Sequence, residues 1–194
     1  WAATGRFDAK LADFASLTVT GSRTTVGFGA LDSRLADRTL NDTKVYDVSG
    51  SVELGKFFPD KSGVHIPLYV NVSHQVSTPE YDPAQPDITL KQSLQAATSS
   101  KQRDSIQNTA EDYTLRKSIN LTNVHKTKTN SSAPNHVWDI ENFNATYSYI
   151  EYNHHDFTTQ SDFEKTYHAS LAYNFATQPK YYSPFEKVIK SNLL

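Results

Sequence analysis

Between Val64 and Val76 the side chains alternate with a period of two. Val64, Ile66, Leu68, Val70, Val72 and Val76 make one row, and His65, Tyr69, Asn71, Ser73 and Gln75 the other. Such a run does not suit a helix, whose faces repeat every ~3.6 residues, and it dictates a strand with one greasy and one wet face. His74 interrupts the apolar row near its end. Upstream, Tyr46, Val48, Val52 and Leu54 alternate with Asp47, Ser49, Ser51 and Glu53, and the turn-like Phe57-Phe58-Pro59-Asp60-Lys61-Ser62-Gly63 joins the two runs into a long predicted β-hairpin. Gly50 and Gly55 count as neutral, because a glycine in a curved sheet wall often marks a bend or a close approach.

The same pattern recurs along the chain. A strand is expected within Leu11 to Thr25, where Ala15, Leu17 and Val19 alternate with Ser16, Thr18 and Thr20. Pro79, Pro83 and Pro86 then remove ladder donors, so 77–112 reads as a non-strand insertion. Within it, Leu90, Leu94 and Ala97 have helical spacing, and one or two short helices are expected around 88–110 with Asp87 as N-cap. Tyr113, Leu115, Ile119 and Leu121 restart the strand pattern, and a polar loop follows from Lys126 to Asn135. Phe143 to Tyr152 and Thr166 to Phe175 make a second predicted hairpin around the polar stretch Asn153 to Asp162. In its last strand Tyr167, Ala169, Leu171, Tyr173 and Phe175 share a face, with aromatics towards both ends.

Composition narrows which kind of sheet this is. Hydrophobic residues are only 37% of the 194, yet aromatics reach 12%, with 11 Tyr and 10 Phe. A disordered chain would lack the aromatic and β-branched residues. No stretch approaches the ~18 apolar residues of a membrane-spanning helix, but barrel strands average out to a polar composition and remain open. The expected runs also exceed the five or six residues usual for strands (~17–20 Å) and suit the ~9–11 needed to cross a bilayer at a tilt. The fold class expected is therefore all-β: antiparallel long strands, as in a segment of a transmembrane β-barrel, with the short helical insertion. With no Met and Trp1 first, residues 1–194 read as one architectural region, a partial barrel wall cut from a larger chain.

Charge and motifs narrow the function. A net charge of −2 without a dense Lys/Arg cluster argues against nucleic acid. The absence of cysteine excludes disulfides, thiolate metal sites and a Cys nucleophile. His154, His155 and Asp156 are the best metal candidates, but neighbours on an extended chain point apart, and a solvated hairpin loop is the better reading. Asp139 and Glu141 could form an acid/base pair, though loop carboxylates mostly keep a surface wet. There is no nucleophile elbow and no phosphate-cradling motif. The expectation is a protein that is not an enzyme, with no catalytic, cofactor or metal residues. Asp47, Ser49, Ser51, Glu53, Tyr69, Asn71 and Ser73 either line an aqueous lumen or form the solvent face of a soluble sheet. Periodicity alone leaves both open.

Longer motifs go further. GSVELGKFFPDKSGVHIPLYVNVSHQVSTPEYDPAQPD (50–87), with GRFDAKLADFASLTVTGSRT upstream and RKSINLTNVHK, VWDIENFNATYSYIEYNHHDF and KTYHASLAYNF downstream, resembles the SprA (Sov) family. These are the very large outer-membrane translocons of type IX secretion and gliding motility in Bacteroidota. The resemblance implies a wide single-chain barrel that passes folded cargo proteins to the cell surface of the bacterial outer membrane. It implies as partners the remaining strands of the same barrel, plug and shuttle subunits, cargo proteins and outer-membrane lipid. Asp47, Ser49, Ser51, Glu53, Tyr69, Asn71 and Ser73 would then face the lumen. Val64, Ile66, Leu68, Val70, Val72, Tyr167, Leu171 and Tyr173 would face lipid. A nutrient receptor or porin barrel, or a soluble cell-surface β-sandwich with binding function, is the competing expectation.

Overall fold

The alternating segments pair, each with its neighbours, into one antiparallel sheet in a computed structural model that describes residues 1–34, 37–130 and 134–176. The elements are β1 (Ala2–Leu11), β2 (Ala15–Thr24), β3 (Asn41–Glu53), β4 (Val64–His65), β5 (Pro67–Pro79), β6 (Tyr81–Asp82) and β7 (Gln85–Thr89). After these come α1 (Leu90–Ala96), α2 (Ser100–Ala110), β8 (Asp112–Lys126), β9 (Phe143–His155) and β10 (Asp162–Tyr173). The spatial order is β1-β2-β3-β5-β8-β9-β10, with β4 on the edge of β8 and β6–β7 as a separate ribbon. All-β with a short helical insert is therefore correct. The sheet is an open one, with β1 and β10 at its two ends, and does not close into a barrel.

The turn ends are built by specific groups. At the end of β3, Glu53 Oε1 accepts from the N–H groups of Gly55 (3.1 Å) and Ile66 (2.7 Å). The Leu54 N–H donates to the Ile66 carbonyl at 2.9 Å, so Ile66 leaves the ladder and the expected single strand Val64 to Val76 divides into β4 and β5. Gly55 is not neutral: a Cβ there would overlap the Val64 carbonyl and crowd Glu53 Oε1. In β8 an extra residue enters beyond Leu121, where the pairing slips by one against both flanking strands. Asn123 takes a left-handed φ of 54° and its N–H donates to Thr146 Oγ1 at 3.2 Å, the mark of a β-bulge.

Several expectations need correction. The run Leu11 to Thr25 is the last residue of β1, a turn through Ala12, and β2. The 77–112 stretch is not free of strand: β5 runs on to Pro79, β6 and β7 form a ribbon despite the prolines, and β8 opens at Asp112. The helix N-cap is Thr89 rather than Asp87, because Thr89 and Gln92 satisfy each other's backbone N–H groups in a capping box. His154 and His155 belong to β9 rather than to a loop, and Phe175 lies past the end of β10. Residues 131–133 of the expected loop 126–135 lie outside the described residues.

The buried apolar side chains among the described residues are Leu90, Ala97 and Ala110, all in the helical insert. There Ser93 donates to the buried Asp82 carboxylate at 2.5 Å, pinning α1 to the β6–β7 ribbon. Among the described residues of the main sheet, Ser77 on β5 is buried and no apolar side chain is.

Candidate functional site: the two faces of the sheet

Residues directly opposed across antiparallel strands project to the same side, so the registers sort the sheet into two faces. One row reads Ala9, Leu17, Gly50, Val70, Ile119, Tyr149, Tyr167 from β1 to β10. The next, towards the β1–β2 turn, reads Leu11, Ala15, Val52, Leu68, Leu121, Tyr147, Ala169. Beyond them on the last two strands come the pairs Ala145–Leu171 and Phe143–Tyr173. This face is apolar across all seven strands of the path.

It is also uncovered. Phe7, Val48, Val70, Val72, Ile119, Tyr147, Tyr167 and Leu171 are exposed, Leu171 at 70% of its full area. Among the described residues the only other sheet is the β6–β7 ribbon. A monomer in water rarely leaves a contiguous patch above a few hundred Å² (~300–600) uncovered.

The opposite face is a field of hydroxyls, amides and charges. Ser16 and Ser51 hydroxyls meet at 2.7 Å, the Thr18 hydroxyl donates to Asp8 at 2.8 Å, and the Asn71 amide donates to Asp47 at 3.0 Å. Thr43 and Ser77 approach to 3.1 Å, and the Arg116 guanidinium lies 5.3 Å from the Tyr152 ring centre. Asp47 opposes Ser73, Ser49 opposes Asn71, and Ser51 opposes Tyr69. The seven residues expected on a lumen row thus share one face, although Glu53 spends its carboxylate on the connector described above.

Val64, Leu68, Val70, Val72, Tyr167, Leu171 and Tyr173 lie together on the apolar face, Val64 through its partner Lys126 on the far side of the bulge. Ile66 sits between β4 and β5, held by its backbone.

The other candidates resolve into structural roles. His154 and His155 diverge: His154 Nδ1 lies 3.1 Å from Thr114 Oγ1 on the polar face, while His155 stacks at 4.9 Å on Tyr113 on the apolar one. Outside the strands, three hydrogen bonds from Thr158 and Thr159 hold the Asp156 carboxyl far below the usual range. Asp139 is lowered first by the His136 N–H and then by Lys128, and Glu141 first by Lys126. A general acid needs the opposite shift. No group of three or more metal-ligating side chains occurs among the described residues.

Sequence reading missed one cluster. Tyr46, His74, Tyr113 and His155 stack edge to face or face to face from β3 to β9, with centroids 6.4, 5.1 and 4.9 Å apart. Only the register could reveal it.

No curated protein matches the chain. Residues 1–94, which carry β1 to β7, match the family model SprA_N, described as motility related/secretion protein. That match relates residues 1–94 to the SprA family and suggests a motility- or secretion-related role.

Proposed function

We propose that this sheet is part of the wall of an outer-membrane β-barrel that conducts folded proteins, as in type IX secretion. The carrying observation is the uncovered apolar face that spans seven strands and is backed by a face of hydroxyls and charges. In a bilayer only a closed barrel satisfies every strand's backbone, so further strands of the same wall continue from the β1 and β10 edges. Lipid covers the apolar face and the polar face lines the lumen. Side chains there are already paired with one another, as Ser16 is with Ser51, and offer passing cargo little to hold. The helical insert at 80–111 stands at one end of the strands, where plug, shuttle or cargo proteins would meet it. The role is positional, with no bond chemistry.

Single cysteines from Leu68 to Val76 in the complete protein test this. Lipid-soluble and aqueous thiol probes are expected to label alternate positions: Leu68, Val70 and Val72 from lipid, and Tyr69, Asn71 and Ser73 from water. If Leu68 and Val70 react with neither probe, protein covers them and the sandwich reading replaces the barrel.

A further inference from the structure

One row of opposed residues changes character along its length. Phe7, Val19, Val48 and Val72 are apolar, whereas Lys117, Glu151 and Lys165, the same row continued on β8, β9 and β10, are charged. On β2 and β3 the charges of this face come later, at the opposed pair Arg23 and Lys44, four residues further towards the insert end. On β5 the first polar residue is His74, in between. The border holds level on β2 and β3, steps two residues at β5 and two more at β8, and holds level again to β10.

The opposite border moves with it. The apolar face of β1 and β2 stops at the turn after Leu11, whereas on β9 and β10 it runs four residues past that level, to Phe143 and Tyr173. Tyr46 to Val52 on β3 and Tyr167 to Tyr173 on β10 each advance six steps, ~20 Å along either strand. A band of constant height therefore crosses the sheet on a diagonal.

We infer that the bilayer cuts the sheet along this diagonal. Its insert-side headgroup border follows Arg23 and Lys44, then His74, then Lys117, Glu151 and Lys165, with lipid phosphates beside the cations. Averaged over the five strand spacings from β2 to β10, the shift of four residues, at ~3.3 Å per residue and ~4.8 Å per spacing, is a mean slope of about 30°. Barrel strands tilt by ~35–45°. Four cations against Asp42 and Glu151, which pair with Arg23 and Lys117, leave an excess of positive charge facing anionic headgroups. Val76, Tyr113 and Leu115, apolar or aromatic but past the border, are half-buried, and the exposed Phe163 beyond it has the Lys165 ammonium 4.9 Å from its ring centre. This rests on the wall reading and adds the position of the membrane on it.

Nitroxide labels at Val48→Cys, Lys165→Cys and Leu171→Cys test it, in the complete protein reconstituted into phosphatidylcholine and phosphatidylglycerol vesicles. Relaxation by oxygen and by a water-soluble nickel chelate reports depth. Val48 and Leu171 are both expected inside the apolar band, with oxygen access exceeding nickel access, and Lys165, on the same register row as Val48, at the headgroups with several-fold greater nickel access. Val72→Cys and Glu151→Cys repeat the comparison on the same row should the first set assemble poorly. Equal depth for Val48 and Lys165 overturns the diagonal while leaving a lipid-facing wall. Nickel access without oxygen enhancement at Val48, Val72 and Leu171 alike overturns the wall, and the diagonal with it.

Discussion

At the scale of single residues, the connector between β3 and β4 concentrates the tightest constraints. A Gly55→Ala side chain must displace the Val64 carbonyl, while Gly50→Ala would meet Val70 Cγ2 at an ordinary 3.5 Å. Overpacking of that kind costs ~1–3 kcal/mol. Denaturant midpoints of the complete protein in detergent should therefore fall for Gly55→Ala and hold for Gly50→Ala. The 134–142 loop carries an acid response. Asp139 and Glu141 titrate below the ordinary carboxylate range, so their pairing is intact above that range and is lost as pH falls through the lowered values. Exposed Trp138, stacked at 5.0 Å on His136, reports on it. Its fluorescence should change on acidification below about pH 4. Asp139→Asn, which keeps the shape and loses the charge, should show the acid spectrum already at neutral pH. Glycine strain of this sort escapes sequence reading, because the Val64 carbonyl that Gly55 must avoid is placed by a backbone hydrogen bond, not by a motif.

At the scale of elements, alternation identified the strands wherever large apolar residues marked one row. β3, β5, β8, β9 and β10 all announced themselves in this way. β1 did not, because its apolar row is Ala3, Gly5, Phe7, Ala9 and Leu11, mostly too small to stand out from Thr4, Arg6, Asp8 and Lys10. The three prolines concealed β6 and β7, since a two-stranded ribbon needs few donors and tolerates edge prolines. What no linear pattern contains is the register, and the ring ladder from Tyr46 to His155 and the diagonal border both depend on it. The faces make a sharp contrast between adjacent residues. Val70→Arg would place a guanidinium in mid-band, at ~2–4 kcal/mol on the lipid side, while Asn71→Arg adds one charge to a polar wall. Assembled protein in outer-membrane fractions should drop for Val70→Arg and stay near the parent level for Asn71→Arg; equal loss in both would argue against a lipid-facing row.

At the scale of the whole sheet, two edges and one large apolar face remain open among the described residues. Residues 1–194 expressed alone should precipitate from aqueous buffer and stay dispersed only in detergent, as light scattering would show. A soluble monomer would mean that the face finds cover within the chain itself. The order of the strands has a further consequence, in time rather than in space. Along the path each strand lies beside its predecessor in sequence, apart from two departures: β4, which pairs with β8, and the detour through β6, β7 and the helices between β5 and β8. Contacts that are near in sequence close quickly, because little chain entropy is lost before they form. A wall laid out as successive hairpins can therefore zip up in the order of synthesis, β1 with β2, then β3, then β5. The detour is the costlier step, because β5 and β8 meet only once the chain from 80 to 111 closes as a loop between them.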